Sequence, residues 1–311
     1  MHKNTQAQID DTYAEAFKSI FAEVLITARD RAWLDHAVVA ATGNASSAIL
    51  CDCEAGLDRY VGPGGDEAYA TPDGRPGAII QLHVPRFRKD RVAALERALL
   101  VRISQNVLTC PTASCFNLLD TDPYLKVGRK VAYFGDGHQF RDKRWGRRVW
   151  VVPILGGEFV LDRRFGYADG LMGGNLWFMG EDEGAALLAA ERARDVVQEV
   201  FGVIMPFPGG ITSSGSKAGS RYSFSIASTY ERFCPTLREK LDGHSSVPEG
   251  VGSVMEVIIN GRDLPTIAKA TQAAIAASID TPGLVKISAG NYGGRLGKNF
   301  IYLHAEKQPA A

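Results

Sequence analysis

The chain has 311 residues, of which 45% are hydrophobic and 23% charged, a composition typical of globular proteins with a sizeable core. Its 35 basic and 35 acidic residues cancel, so no long-range positive field favours nucleic acid as a partner. No apolar run approaches the roughly 18 residues of a membrane span, and residues 1–10 lack the apolar stretch of a signal peptide. These features predict a cytoplasmic protein that binds neither membranes nor nucleic acid.

The first half of the sequence alternates predicted strands and helices. Alanine-rich residues 30–42 predict a helix that ends at Gly43, because glycine tolerates the positive φ common after helix ends. Residues 62–77 are rich in glycine and proline, which is typical of a loop. Residues 88–107 have the periodicity of a helix. The apolar face of that second helix comprises Val92, Leu95, Leu99 and Ile103. The predicted strands are residues 21–28, 45–51, 78–84 and 130–134.

The second half repeats this alternation. The acids Glu181, Asp182 and Glu183 suit the N-terminus of a helix that runs to Phe201 and ends at Gly202. Residues 263–279 predict another helix. The predicted strands are residues 149–155, 158–161, 174–179, 203–207, 222–227, 254–259, 284–288 and 300–304. The pattern of helices between single and paired strands favours an α+β fold of split β-α-β units.

A basic stretch at residues 141–148 (RDKRWGRR) is the best internal boundary and is interpreted as a solvated connection. It predicts an N-terminal lobe of residues 1–147 and a C-terminal lobe of residues 148–311. The tripeptide Cys-Pro-Thr occurs at 110–112 and again at 234–236, which suggests that the two lobes arose by duplication.

The five cysteines are predicted to be reduced structural thiols, since their number is odd and no export signal is evident. Their spacing does not match a zinc knuckle, and most lie in apolar stretches where cysteine acts as a small hydrophobe. A metal-binding or nucleophilic role stays open as the alternative. These residues are Cys51, Cys53, Cys110, Cys115 and Cys234.

Glycine-rich segments are candidates for ligand contacts. Residues 206–217 (PFPGGITSSGSK) follow an apolar strand, and their amides, hydroxyls and Lys217 could hold an anionic or polar ligand. The glycine–lysine spacing is not that of a phosphate-binding P-loop, and a flexible surface loop is the alternative. Residues 288–298 (SAGNYGGRLGK) fit a long hairpin loop equally well, and residues 134–138 (FGDGH) fit a turn as well as a site.

Glu256 lies within an apolar predicted strand, on the same face as Val254 and Ile258. Burial of an ionised carboxylate is costly, so its pKa should be raised unless a cation pairs with it. A neutral carboxyl can donate a hydrogen bond to an oxyanion or pass on a proton. The alternative is an edge strand that exposes Glu256 to water.

The six histidines form no zinc-protease motif, and no nucleophile-elbow motif occurs. His83 lies on an apolar predicted strand and is interpreted as a hydrogen-bonded core histidine. The residues alone therefore indicate a two-lobed α+β protein with polar glycine-rich loops and do not identify a substrate.

Seven segments, in order along the chain from about residue 10 to residue 303, together carry a specific resemblance. The sequence resembles formylmethanofuran:tetrahydromethanopterin formyltransferases in these segments. They are residues 11–17 (DTYAEAF), 71–77 (TPDGRPG), 107–112 (VLTCPT), 134–137 (FGDG), 206–211 (PFPGGI), 214–217 (SGSK) and 288–294 (SAGNYGG).

The resemblance implies two ferredoxin-like lobes, assembly as a homodimer or homotetramer, and no prosthetic group, with methanofuran and tetrahydromethanopterin as cosubstrates. It implies reversible transfer of a formyl group between N5 of tetrahydromethanopterin and the amine of methanofuran through a ternary complex and a tetrahedral intermediate. The balanced charge is more similar to the form in methylotrophic bacteria, the D subunit of a complex with formyl-hydrolysing partner subunits that acts in formaldehyde oxidation.

The resemblance also assigns expected roles to residues. Glu256 matches the family's strand glutamate and is the leading catalytic candidate. The expected substrate-binding residues are Thr109, Cys110, Pro111, Thr112, Gly209, Gly210, Ser214, Ser216, Lys217, Asn291 and Tyr292. The alternative function is a non-catalytic scaffold that carries the furan coenzyme within a formyl-hydrolysing complex. A generic ligand-binding protein is what remains without the resemblance.

Overall fold

The computed structural model describes residues 6–308 and shows a mixed α and β fold. Its strands are β1 (Gln8–Ile9), β2 (Tyr13–Thr27), β3 (Glu54–Val61), β4 (Gly77–Pro85), β5 (Ser114–Asn117), β6 (Tyr124–Leu125), β7 (Phe140–Arg144), β8 (Arg147–Ile154), β9 (Gly157–Asp162), β10 (Phe165–Gly166), β11 (Ala168–Gly180), β12 (Val203–Ile204), β13 (Ser216–Ala218), β14 (Ala227–Thr229), β15 (Ser253–Gly261), β16 (Leu284–Ser288) and β17 (Asn299–Tyr302).

The α-helices are α1 (Arg31–Thr42), α2 (Arg91–Arg102), α3 (Val127–Ala132), α4 (Glu183–Gln198) and α5 (Leu264–Ser278). A π-helical turn, Ile103–Val107, extends α2. The 3-10 turns are Tyr133–Gly135, Pro208–Gly210, Glu231–Phe233, Pro235–Leu241 and Ala305–Lys307. Within residues 6–308, no helix is long and apolar enough to cross a membrane.

Aspartate caps explain where the longest helices begin. Asp30, Asp182 and Asp263 precede α1, α4 and α5, and each carboxylate accepts a hydrogen bond from a backbone amide three residues later, at 2.8–3.1 Å. Such a cap satisfies an amide that the helix leaves free and stabilises it by about 1 kcal/mol.

The chain divides into two compact units, residues 18–170 and residues 6–17 with 171–308. In the unit of residues 18–170 the neighbouring strands run β3, β4, β2 and β5, all antiparallel. Strands β9, β8 and β7 continue beyond β5. One face of this sheet packs on α1, α2 and α3, with fully buried Ile26, Leu34, Leu82 and Leu99 among them.

In the unit of residues 6–17 and 171–308, the neighbouring strands run β12, β15, β11 and β16, again antiparallel. Alternate side chains of β11 and β15, including Phe178 and Val257, pack against α4 and α5 on one face. The opposite face carries Asn175, Trp177 and Glu256, because successive side chains of a strand point to opposite sides. Within residues 6–308 no α-helix packs on this face, which is called the helix-free face. The candidate site lies on it.

Most of the predicted elements are confirmed, including the helices at 30–42, 88–107, 181–201 and 263–279. Two details of them are wrong. Gly43 has a φ of −63°, and the positive φ falls on Asn44 at 51°. Val92 is 39% exposed, whereas the other three residues of the predicted apolar face are buried.

Two strands predicted in the first half are wrong. Residues 45–51 form turns, with the Cys51 amide bonded to the Ser47 carbonyl at 2.9 Å, and the next strand begins at Glu54. Residues 130–134 belong to α3 and the following turn, because Val127 and Val131 bury one helical face at a spacing of four residues.

Two strands of the second half also differ from prediction. Residues 203–207 form a strand only at Val203–Ile204, because Pro206 and Pro208 have no amide to donate to a ladder. Residues 222–227 form bends, and the strand begins only at Ala227. Tyr222, Phe224 and Ile226 are all more than half exposed, so this apolar stretch does not enter a core.

The basic stretch at 141–148 is a β-hairpin and not a connection between lobes. Arg144 pairs with Arg147 across the turn, and β8 continues through β9 to β5. The compact units are residues 18–170 and residues 6–17 with 171–308, and the expected lobes of residues 1–147 and 148–311 stay a prediction.

Candidate active site

The Glu256 carboxyl is buried on the helix-free face, and only 8% of the residue is exposed. Its strand β15 lies between β11 and β12, so the edge-strand alternative is wrong. Oε1 accepts hydrogen bonds from Asn175 Nδ2 at 2.8 Å and from Trp177 Nε1 at 2.9 Å. Within the described chain, Oε2 accepts none. One oxygen of this carboxyl is therefore fixed and the other is available.

Burial raises the pKa of the Glu256 carboxyl, and the hydrogen bonds from Asn175 and Trp177 only partly offset that effect. No cation forms an ion pair with it within residues 6–308. The neutral form of the carboxyl is thus favoured at higher pH than for an exposed glutamate, as the strand pattern predicted.

Sequence reasoning missed Asn175 and Trp177 as partners of Glu256. Trp177 lies directly opposite Glu256 in the register of β11 and β15, and Asn175 is two residues earlier on the same face. Within the described residues, Asn175 Oδ1 is buried without a hydrogen-bond partner.

The segment of residues 206–217 runs beside Glu256. The Thr212 amide donates to the Glu256 carbonyl, and the Glu256 amide donates to the Thr212 carbonyl, both at 2.8 Å. Ser214 lies next to Thr212, with their hydroxyl oxygens 3.0 Å apart. A two-bond bridge therefore holds Thr212 beside Glu256, and the predicted contact residue Ser214 is bonded to Thr212.

Gly209 and Gly210 form the turn that leads into this bridge, with φ of 63° and 79°. These angles lie in the left-handed region that favours glycine. A Cβ at Gly210 would also lie 3.0 Å from Arg194 Cγ, which is tighter than ordinary contact, so the arginine side chain would have to shift. Both glycines thus have a conformational reason to be present. Farther along, Lys217 forms an ion pair with Glu231 and is not a free cation.

Tyr292 adds an aromatic wall to the site. Its ring stacks on Tyr230 at 6.2 Å, and Tyr230 in turn meets Trp177 edge-on at 5.9 Å. The Tyr292 hydroxyl donates to the Ser216 carbonyl at 2.9 Å. Burial, with the nearby Glu256 as the next cause, raises the pKa of Tyr292 to about 12. Tyr292 is therefore a neutral hydrogen-bonding group that connects two of the predicted loops.

A second buried carboxylate, Glu15, holds the loop that carries Tyr292. It accepts backbone hydrogen bonds at 2.5–3.3 Å from the amides of Tyr292, Gly294, Leu296 and Gly297. Burial raises the pKa of Glu15, but the four donors outweigh this and hold the pKa below its usual value. Asn291 is anchored separately, by a 2.7 Å bond to the Thr12 hydroxyl. The DTYAEAF segment therefore shapes the glycine-rich loop.

The remaining predicted residues, Thr109 to Thr112, lie in the unit of residues 18–170. Thr112 has a φ of 68°, which is unusual for a β-branched residue and costs conformational energy. Arg75 stabilises this conformation by donating to the Thr112 carbonyl while it pairs with Asp73. The structure thus links two of the motif segments, TPDGRPG and VLTCPT.

The cysteines have the character of structural thiols. Burial raises the pKa of the Cys110 thiol, which lies 3.4 Å from the Trp33 carbonyl oxygen. Burial likewise raises the pKa values of Cys53 and Cys115, and all five cysteines are unpaired. A raised pKa disfavours the thiolate that a nucleophile or metal ligand requires. In residues 6–308, no group of three His, Cys, Asp or Glu residues is arranged to hold a metal.

Replacement of Glu15 by glutamine is expected to lower the free energy of unfolding at pH 7 by about 2–4 kcal/mol, because the loop amides lose a charged acceptor. Urea unfolding measures this. The difference from wild type should shrink as pH falls from about 4.5, since the lowered pKa of Glu15 makes its contribution full above the unfolded-state value and lost below the folded-state one.

The exposed acid Glu306 provides the matched control, because its side chain is 73% exposed. Glu306→Gln should change stability by less than about 0.5 kcal/mol. Equal stability of Glu15→Gln and wild type at pH 7 would show that the amide cage is not stabilising.

Comparison with known proteins identifies the family. A family model described as formylmethanofuran-tetrahydromethanopterin formyltransferase matches residues 1–154, and one described as FTR, proximal lobe, matches residues 157–305. The formyltransferase of Methanosarcina acetivorans is 44% identical over 299 residues, which cover 96% of this chain and 97% of that protein. That of Methanocaldococcus jannaschii is 43% identical, covering 93% and 94%.

Solved structures agree. The formyltransferase of Methanosarcina barkeri has a TM-score of 0.89 and 43% identity, covering 98% of this chain and 99% of that one. A chain of the formyltransferase/hydrolase complex of Methylorubrum extorquens, solved with methylofuran, has a TM-score of 0.87 and 36% identity, covering 97% of each. The chain belongs to the formylmethanofuran–tetrahydromethanopterin formyltransferase family.

Proposed function

We propose that the protein catalyses reversible transfer of a formyl group between N5 of tetrahydromethanopterin and the amine of methanofuran. Family membership supports the reaction, and the relatives are named for it. The observation that carries the chemistry is the Glu256 carboxyl, which is buried, has a raised pKa and keeps one oxygen available.

The reaction proceeds by attack of an amine nitrogen on the formyl carbon to give a tetrahedral intermediate with an oxyanion. Neutral Glu256 donates a hydrogen bond from its carboxyl to the developing oxyanion. As the intermediate collapses, one proton must leave the attacking nitrogen and one must reach the departing nitrogen. Glu256 serves as the relay, because a carboxyl that gives up its proton can recover one from the attacking amine. No covalent enzyme intermediate is needed.

Two effects supply the rate acceleration. Holding two substrates in reacting geometry can contribute roughly 7–11 kcal/mol, and a preorganised oxyanion donor adds about 3 kcal/mol. Trp177 and Asn175 serve the second effect by fixing Oε1, so the carboxyl needs little reorganisation. They are positioning residues in this scheme.

Some of the predicted binding residues lie in the same unit as this carboxyl, and the others lie in the other unit. Gly209, Gly210, Ser214, Ser216, Asn291 and Tyr292 are proposed to contact the coenzymes from the two glycine-rich loops of the unit that holds Glu256. Lys217 is proposed to take part only through exchange of its partner Glu231. Thr109, Cys110, Pro111 and Thr112 are proposed as further contacts, with Cys110 as a neutral thiol.

Several finer properties belong to the same proposal. Both units are proposed to be ferredoxin-like lobes, since each has the element order β-α-β-β-α-β with the fourth, first, third and second strands side by side. The shared order also supports duplication. We further propose action in the cytoplasm, in formaldehyde oxidation, without a tightly bound cofactor, as a homo-oligomer or with formyl-hydrolysing subunits. The Methylorubrum extorquens complex supports the last point.

The rival function is a non-catalytic scaffold that carries the furan coenzyme. Such a scaffold has no need for a desolvated carboxyl that keeps one oxygen available, and this observation favours the enzyme. Purified protein supplied with both coenzymes discriminates the two functions. Formyl transfer without partner subunits supports the enzyme, and coenzyme binding without transfer supports the scaffold.

Glu256→Gln is expected to reduce turnover at least tenfold while the fold is retained. The glutamine carbonyl can still accept from Asn175 and Trp177, but the side chain has no carboxyl proton to relay. Steady-state kinetics and circular dichroism measure both effects. Glu249→Gln, at an exposed position of the same unit, is the control and should retain wild-type turnover. Near-normal turnover of Glu256→Gln would remove this residue from the mechanism.

The pH dependence of turnover tests the protonation state. Because the neutral carboxyl is the active form, turnover should fall as pH rises through the raised pKa of Glu256. Asn175→Leu removes a donor that lowers this pKa, so the alkaline limb should move to higher pH. Adding Asn175→Leu to Glu256→Gln should produce no such shift. A limb that persists in Glu256→Gln would belong to another group.

A further inference from the structure

A row of three cations crosses the end of the hairpin in the unit of residues 18–170. Lys143 on β7 lies directly opposite Arg148 on β8. The Arg163 amide donates to the Arg148 carbonyl at 3.2 Å, which places Arg163 next in the row, just beyond β9. Like charges at directly opposed positions destabilise a sheet. A row of three such residues therefore needs a compensating interaction.

The neighbouring arginines of the same hairpin are compensated within the chain. Arg144 donates to Asp142 and to Glu158, both at 2.8 Å, and Arg147 forms an ion pair with the buried Asp162. By contrast, the side chains of Lys143, Arg148 and Arg163 have no carboxylate partner in the part of the chain that the structure describes. No carboxylate of residues 6–308 compensates the positive charges of these three side chains, so they are available to a ligand.

A concave space adjoins this row. A cavity of about 570 Å³ is lined by Arg147, Arg148, Arg163, Arg164, Asn117 and Asp120, among others. Asp162 also borders it but is occupied by Arg147 and by the Asn117 amide at 2.8 Å. Four arginines and two aspartates line the cavity, and Arg147 and Asp162 pair with each other, which leaves three arginines and Asp120. The electrostatic balance of the cavity favours an anion.

The turn that connects β7 and β8 fixes the backbone next to these cations. Trp145 and Gly146 have φ of 50° and 74°, as a two-residue hairpin turn requires. The left-handed conformation is costly for tryptophan, and its indole packs edge-on against Phe116 at 5.9 Å. On the other side of the cavity, the Arg164 guanidinium lies 4.0 Å from the centre of the Tyr124 ring. Aromatic contacts thus order the turn beside the cavity and the guanidinium of Arg164.

We propose that this cavity binds an oligoanion, a ligand with two or more phosphate or carboxylate groups. Arginine suits both groups because its planar guanidinium donates two parallel hydrogen bonds to either. Arg148 and Arg163 are the principal contacts, and Arg164 completes the wall. All of these residues belong to the unit of residues 18–170, and the inference does not depend on the proposed formyl transfer.

Titration calorimetry of the full chain at low salt tests the proposal, with pyrophosphate and citrate as separate probes. We expect saturable binding of at least one probe. Arg148→Gln and Arg163→Gln should each weaken it by about tenfold or more, as loss of a charge-assisted bond does. Preference for pyrophosphate identifies a phosphate site, and preference for citrate a carboxylate site. Affinity should also fall as salt increases.

Arg141→Gln is the matched control, because Arg141 lies in the same hairpin but packs over Trp150, 5.2 Å from its ring, and does not line the cavity. It should change affinity less than twofold. Circular dichroism and formyl transfer should be unchanged in all three variants, which separates ligand loss from misfolding and from failure of the proposed function. Absence of saturation by either probe up to about 10 mM, or equal weakening by Arg141→Gln, would overturn the proposal.

Discussion

Desolvation of the Glu256 carboxyl is the constraint on which the candidate site depends. Two strands hold it on a face that no α-helix covers within residues 6–308, and two neutral donors bond one oxygen. Since neither donor carries a charge, they do not fully offset the cost of burial, and the pKa of the carboxyl is raised. The proposed mechanism follows from the position and the raised pKa of this one group.

Glu15 shows the opposite outcome of burial within the same unit. It is almost fully buried too, but four backbone amides point at it and its pKa is lowered. Four donors favour the charged form of Glu15 more strongly than two favour that of Glu256, where desolvation is not fully offset. The lowered pKa keeps Glu15 ionised at neutral pH, where it orders a loop, while Glu256 is proposed to transfer protons. Glu15 therefore supports the loop, and Glu256 is the residue proposed to take part in the chemistry.

Periodicity predicted most of the fold and the burial of Glu256, because both depend on local alternation of apolar residues. Periodicity gave wrong or incomplete predictions where contacts between residues distant in sequence determine the structure. Residues 130–134 belong to a short helix and its following turn because Val127 and Val131 pack together into the core, a contact that the apolar run alone does not indicate. Asn175 and Trp177 were missed because their partner lies about eighty residues away, and only the strand register brings them together. The roles of the loop residues came from family resemblance, which composition could not supply.

The unit of residues 18–170 has a buried polar network on the corresponding face of its own sheet. There Gln81 donates to both Glu23 and Asp58 and lies 2.9 Å from His83, whose other ring nitrogen is 3.0 Å from the Ser19 hydroxyl. Burial lowers the pKa of His83 to about 3, so the ring is neutral, and each of its polar atoms has a partner. A network with its bonds made stabilises one structure and has little capacity to react. The unit with Glu256 has the same strand order but leaves one carboxylate oxygen without a hydrogen bond within the described residues, and this difference supports the proposal that the chemistry takes place there.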